Sequence, residues 1–455
     1  MARDQSDTTP IRARDELVAW FEKGCKTDGE LLAGAEHEKF PFYVVNRSPV
    51  PYEPHGIHAI LDGLAERTGW TPIMEDDHPI GLFDSKGGGA ISLEPGGQFE
   101  LSGAPLPTAH AIDQETQKHL ADVKAVAGPL GIGFLALGMS PIWTRAETPV
   151  MPKRRYEIMR NYMPKVGSLG LDMMFRTSTV QVNLDFTSEA DMVRKLRVSL
   201  ALQPIATALF ANSPFTEGTL NGFKTKRSEI WRDTDNDRSG MLPFAFEDGM
   251  GFERYVDYAL DVPMYFVKRG DEYHDVTGAS FRDLLHGKLR QLPGEAATIS
   301  DWANHLSTIF PEVRLKRYLE MRGSDVGPAP MIPALAAFWM GLFYDSVALD
   351  QAWQIAKDWT ADERQKLRDD VPKLALQATI QGRSVRDIAR DVLQLSRDGL
   401  KRRAKLDSLG RNETRFLSPL DNIITANETQ AERLIKLFNS EWKGDVARVF
   451  DAMAY

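Results

Sequence analysis

The chain has 455 residues, of which 42% are hydrophobic and 26% charged, a globular composition rather than a disordered or fibrous one. Its 55 basic and 64 acidic side chains leave a net charge of −9, which argues against a dedicated nucleic-acid binder while allowing local anion sites. No run of about 18 apolar residues occurs, so no membrane span is expected. The only cysteine, Cys25, excludes an intrachain disulfide and a Cys-rich zinc site, and the cytoplasm is the expected compartment. Met1 to Pro10 is polar and acidic with no apolar stretch, so no secretory signal is expected.

In chain order, Arg12 to Lys23 reads as a helix with Leu17, Trp20 and Phe21 on one side. Gly34 to Phe40 reads as a strand in which Glu36 and Glu38 share a face, because side chains two apart point the same way. Two such close carboxylates fit either an edge strand facing water or a cation site. Residues 54–68 repeat Ile57, Ile60, Leu61 and Leu64 at helical spacing. His55 and His58 lie on that pattern without a third ligand, so zinc is not expected. Ile91 to Leu101 reads as a hairpin turning at Pro95-Gly96-Gly97. Ser92, Glu94, Gln98 and Glu100 share one parity, and Ile91, Leu93, Phe99 and Leu101 the other.

Residues 108–127 are again helical. Gly131 to Ala136 resembles a dinucleotide fingerprint, but it follows a helix and reads as a strand itself, the reverse of what that motif needs. Thr177 to Phe186 alternates cleanly: Val180, Val182, Leu184 and Phe186 on one face, Thr179, Gln181, Asn183 and Asp185 on the other. Asp191 to Ala211 is a helical pattern interrupted at Pro204. Asp233 to Arg238 begins like a calcium loop but has Arg238 where glycine is needed, so a plain loop is expected. Val313 to Arg322 reads as one strand with Arg314, Lys316, Tyr318, Glu320 and Arg322 on its polar face. From 332 to 455 the pattern is mostly helical. Strands mixed with helices, then a helical C-terminal part packed on them, indicate an α+β fold with units 1–330 and 331–455.

If these strands are neighbours, Glu36, Glu38, Glu94, Glu100 and Glu320 line one concavity beside Arg322. Oxygen ligands of this kind suit hard cations, and arginines beside them suit phosphate, with ATP as the expected source. No G-x-x-x-x-G-K-[ST] loop occurs, so an ATP user here is not a P-loop enzyme.

Several stretches go further: Ala35 to Phe40, ISLEPGGQFELSGAP from Ile91, MPKRRYEIMRNYMPKVGSLGLDMM from Met151, TVQVNLDF from Thr179, LQPIATALFANSPFTEG from Leu202 and FPEVRLKRYLEMRG from Phe310. From about residue 15 onward the chain resembles the plant-type glutamate–cysteine ligases, also called γ-glutamylcysteine synthetases, of plants and some proteobacteria. The resemblance implies a glutamine-synthetase-like curved antiparallel sheet, a half-funnel flanked by helices. It implies ligation of the γ-carboxylate of L-glutamate to the amine of L-cysteine, driven by ATP through a γ-glutamyl phosphate, as the first step of glutathione synthesis. A ligase of the same fold with another amine acceptor is the alternative.

Roles follow from the resemblance. Glu36, Glu38, Glu94, Glu100 and Glu320, with Gln181 through its amide oxygen, are the expected Mg²⁺ ligands. Arg322 is expected to hold the transferring phosphate. Arg155 and Arg227 are assigned to the carboxylate and acyl-phosphate oxygens of glutamate, and Thr179 and Tyr265 to the cysteine pocket. Partners are expected to be small molecules only, with no nucleic acid or membrane, in a monomer or homodimer. The cysteine pairs that serve plant enzymes as a redox switch have no counterpart beside Cys25, and a plastid transit peptide is not expected.

Overall fold

A computed structural model describes residues 7–27 and 30–455, so the first six residues of the polar leader lie outside the described residues. Its centre is an eight-stranded sheet built from β1 (Ala33–His37), β2 (Thr71–Glu75), β3 (His78–Phe83), β4 (Ala90–Leu93), β5 (Phe99–Ser102), β6 (Thr179–Leu184), β7 (Val313–Leu315) and β8 (Leu319–Asp325). The spatial order is β7-β8-β6-β1-β5-β4-β3-β2, and every pairing is antiparallel. The four segments with polar faces are therefore neighbours.

Alternation decides what each face does. On β6, Val180, Val182 and Leu184 are wholly buried on the apolar side together with Phe186 beyond it. Ala33 and Ala35 of β1, and Leu319 and Met321 of β8, join the same core. Behind the sheet lies a helix that is buried at every position, Met331–Phe343. A helix apolar all round can only sit inside a core. No single helix among the described residues is long and apolar enough to cross a membrane.

The described helices include α1 (Arg14–Glu22), α2 (Ile57–Thr68), α3 (Ala109–Ala127), α4 (Arg154–Tyr162), α5 (Glu189–Leu209), α6 (Lys226–Ile230), α7 (Met331–Phe343) and α8 (Val385–Arg403). One apolar core runs without a gap from Leu17 through the sheet to Ile424, so the helices after residue 330 share the sheet's interior.

Three sequence expectations are corrected. Val313 to Arg322 is a hairpin, not one strand: 313 pairs with 321, 314 with 320 and 315 with 319. Such pairing keeps even residues opposite even residues, so the polar face assigned to a single strand survives. Pro204 lies inside α5 without interrupting it. An interior proline costs about 3 kcal/mol, and the unbroken burial of Val198 to Leu209 around it offsets that loss. His55 is not helical: it sits at φ +52° ahead of α2, so His55 and His58 do not share a helix face.

One very close approach in the core is a helix crossing. A Cβ added at Gly399 of α8 would stand 1.9 Å from the carbonyl oxygen of Gly341 in α7. Only glycine permits this approach, and relieving it would push apart the helices that back the sheet. Gly399→Ala is expected to lower unfolding free energy by ~1–3 kcal/mol, the usual cost of overpacking. Urea unfolding of Gly399→Ala and of the wild-type protein measures the difference.

Candidate active site

The polar face of the sheet is one wall of a cavity of about 100 Å³ that opens to solvent. Glu36 and Glu38 come from β1 and its extension, Glu94 and Gln98 from the turn between β4 and β5, and Glu100 from β5. Thr179 and Gln181 come from β6. Arg155 from α4, Arg227 and Trp231 from α6 and its end, and Phe310, Arg314 and Arg322 from the β7–β8 region close the other side.

Register explains the gathering. Glu36 pairs with Gln181 across β1–β6 and with Ser102 across β1–β5, and Ser92 pairs with Glu100 across β4–β5. Glu100 is fixed by two hydroxyls, from Ser92 and, at 3.1 Å, from Ser102. Glu36 accepts a hydrogen bond of 2.7 Å from the amide of Asn183, and Glu38 accepts one of 3.0 Å from the backbone N–H of Thr179. Gln98 ties the turn to the far wall by donating to the carbonyls of Met174 at 3.2 Å and Thr177 at 2.8 Å. Gly97 takes φ +83° in that turn, a conformation glycine adopts without steric cost.

On β8 a bulge between Met321 and Ser324 breaks the register against β6. Arg322 nonetheless stays on the polar face that it shares with Glu320. Its guanidinium donates to Gln181 Oε1 at 2.8 Å and to Glu320. The ring of Phe310 lies 5.6 Å from it and that of Trp231 5.9 Å.

The electrostatics separate the carboxylates into two kinds. Burial and the neighbouring Glu320 push the Glu36 carboxyl above its ordinary range. Burial, followed by the charges of Glu94 and Glu100, pushes Glu38 well above it. Glu320 is the opposite. Although fully buried, it is held well below the ordinary range by Arg314, Lys316 and Arg322. Arg314 reaches it at 2.7 Å and Lys316 at 2.8 Å.

This corrects two site expectations. Glu320 does not reach the cavity wall, because its oxygens are taken by three cations; it anchors arginines rather than standing free as a metal ligand. Tyr265 does not line the cavity either. Its hydroxyl donates to Asp235 at 2.9 Å, and the Arg238 guanidinium stacks on its ring at 3.6 Å. Asp235 to Arg238, set aside in the sequence as a failed calcium loop, is thus a buried ion pair that holds Tyr265 away. The other residues singled out, Glu36, Glu38, Glu94, Glu100, Gln181, Thr179, Arg155, Arg227 and Arg322, all line the cavity.

Sequence reasoning missed Arg314, Trp231, Phe310 and Tyr156, which line it as well. Arg314 shared the parity of Glu320 and was legible. Trp231 and Tyr156 needed tertiary packing to be seen. Among the described residues no three His, Cys, Asp or Glu side chains converge closely enough to hold a metal unaided. The open carboxylates nevertheless form an all-oxygen donor set, and burial together with neighbouring carboxylates pushes Glu36 and Glu38 within it above their ordinary range.

Comparison with known proteins agrees with this geometry. The chain is 56% identical to glutamate–cysteine ligase B, chloroplastic, of Oryza sativa subsp. japonica, over 98% of this chain and 88% of that one. It is 55% identical to glutamate–cysteine ligase, chloroplastic, of Arabidopsis thaliana, over 98% and 84%. These names overturn the expectation of a cytoplasmic compartment; one cysteine rules out a disulfide framework but does not tell one reducing compartment from another. The fold is shared with the glutamate–cysteine ligase of Francisella tularensis, solved in complex with AMP, at a TM-score of 0.59 over 94% of this chain and 89% of that one, with only 12% identity. The family model described as glutamate–cysteine ligase family 2 matches residues 32–452. With that match spanning nearly the whole chain, and relatives more than half identical along it, the chain belongs to glutamate–cysteine ligase family 2.

Proposed function

We propose that this chain joins the γ-carboxylate of L-glutamate to the amine of L-cysteine at the expense of ATP, the first step of glutathione synthesis, with the cavity described above as its active site. The observation that carries the assignment of the site is the segregation of charge across the sheet. Open carboxylates stand on β1 and the β4–β5 turn, and arginines stand on β8 and α6. ATP with a divalent cation suits the acidic end, and an amino acid bearing two carboxylates suits the basic end.

Magnesium fits the donor set. It takes few protein carboxylates and completes its shell with water and phosphate oxygens, so a set that does not close a full cage is adequate. Glu36, Glu38, Glu94 and Glu100 would hold it, with Gln181 engaged by Arg322 and available only if that bond opens. When bound, the cation neutralises charge on the phosphates.

The chain's own residues do the rest. Arg227 and Arg155 orient glutamate through planar, forked hydrogen bonds. The γ-carboxylate oxygen attacks the terminal phosphorus of ATP, and ADP leaves. Arg322, steadied by Glu320, stabilises the charge on the transferred phosphoryl group. The cysteine amine then attacks the acyl carbon, gives up a proton and expels phosphate. Thr179, its hydroxyl already donating to the carbonyl of Ser324 at 2.7 Å, stands at the edge where the amine would enter.

Omitting each amino acid in turn, while following ADP and the dipeptide, tests the reaction. ADP release that ignores glutamate, or product formed equally well with an amine other than cysteine, would defeat it. Glu38→Gln is expected to cut turnover by about 10²-fold, some 2.7 kcal/mol of transition-state stabilisation, and to raise the Mg²⁺ concentration for half-maximal rate. Wild-type rates at limiting Mg²⁺ would remove Glu38 from the metal site. Arg227→Lys keeps the charge but loses the fork, and is expected to raise the KM for glutamate about 10-fold while that for ATP stays within twofold.

A further inference from the structure

Arg227 is fully buried, yet no carboxylate of the described residues stands within ion-pair distance of it. Its one side-chain hydrogen bond goes to the carbonyl of Arg322 at 2.9 Å, and its Nε–H has no partner. Something must hold such a group in place and offset its desolvation, because an isolated buried charge is costly.

The answer lies one layer behind. Asp325, the last residue of β8, has no exposed surface. It accepts hydrogen bonds from the hydroxyl of Ser213 at 2.6 Å, the hydroxyl of Thr225 at 2.9 Å and the backbone N–H of Asn212 at 2.9 Å. Each hydroxyl then acts on α6. Thr225 is its N-cap and accepts from the N–H of Ser228 at 3.3 Å. Ser213 accepts from the N–H of Arg227 itself at 3.2 Å. One carboxylate therefore fixes the start of the short helix that carries Arg227. It sits at the end of the strand that carries Arg322. The fold has made room for it: a Cβ at Gly138 would lie 2.3 Å from its carboxyl carbon.

We propose that Asp325 is a positioning residue for Arg227. It sets the register of α6 against the end of β8 through Thr225 and Ser213, and it supplies the counter-charge that keeps the guanidinium presented to substrate. The proposal rests on the reading of Arg227 as the residue that meets glutamate. Electrostatics agree with the geometry: burial lowers the Arg227 pKa, and the largest effect opposing this is the charge of Asp325, ahead of Glu38.

The test compares Asp325→Asn, Thr225→Val, Thr225→Ser and Gly138→Ala with Arg227→Lys, using steady-state kinetics in which each substrate is varied separately. Asp325→Asn, Thr225→Val and Gly138→Ala are expected to copy Arg227→Lys. The KM for the same single substrate rises about 10-fold, the others stay within twofold, and kcat at saturation falls less than threefold. Thr225→Ser, which keeps the hydroxyl, is expected to restore wild-type values. Combining Asp325→Asn with Arg227→Lys should add little to either alone, as coupled sites do. If Asp325→Asn does not fold, the Thr225 pair decides.

Three results bear on different claims. An Arg227→Lys effect that Asp325→Asn and Thr225→Val do not share, or a parallel rise in all three KM values, overturns the positioning role. A matching effect on a substrate other than glutamate keeps that role and overturns the glutamate assignment. Full activity in Thr225→Val together with Thr225→Ser overturns the link through α6.

Discussion

The constraint on which this structure turns is the cost of gathering carboxylates inside a protein. A buried charge without a partner is expensive, and several of like sign are worse. The chain meets this in two ways on the same sheet. Glu320 is neutralised outright by Arg314, Lys316 and Arg322. Glu36 and Glu38 are not; they receive neutral hydrogen bonds and keep raised pKa values. The satisfied carboxylate is paired, and it holds two arginines, Arg314 and Arg322, in place on the cavity wall. The unsatisfied ones retain an appetite for positive charge, which is what a cation-dependent site needs before its ligand arrives.

Sheet topology converts that difference into a direction. Because β7 and β8 lie at one end of the strand order and β4 and β5 lie beyond β1, the cluster of Arg314, Lys316 and Arg322 around Glu320 is kept apart from Glu94 and Glu100. β6 stands between them, and its polar face carries only the uncharged Thr179, Gln181 and Asn183. Gln181 and Asn183 touch both sides: one accepts from Arg322 and the other donates to Glu36. An amide can serve either sign, so this strand separates the two regions without itself favouring one.

Much of this was legible in the sequence because strand parity is a strong code. The alternation in Thr177 to Phe186 assigned both faces correctly, and parity survived even where Val313 to Arg322 was misread as one strand, since the hairpin pairs even with even. What parity does not report is whether a side chain on the right face is free. Glu320 has the same parity and residue type as an open ligand, and only its three partners reveal that it is spent. Tyr265 failed for a related reason: a ring beside a matching motif reads as a pocket residue until Asp235 and Arg238 are seen to claim it. The bulge between Met321 and Ser324 left no local signal apart from Gly323. Pro204 misled because propensity is local, whereas the packing around α5 is not.

The apolar side of the sheet is the counterpart of this charged one. Electrostatic preorganisation works only if the groups cannot relax toward one another when the cavity is empty. Raised carboxylates would lower their energy by spreading apart, and arginines by swinging to meet them. Both movements require the strands to shift, and the strands are backed by α7, a helix buried on every side and pressed against α8 at the Gly341–Gly399 crossing. Close-packed interiors resist such shifts. The two glycines therefore bear on chemistry they never touch. By letting α7 and α8 meet backbone to backbone, they place a stiff support behind β1 and β6, and the stiffness of that support lets like charges remain close on the other face.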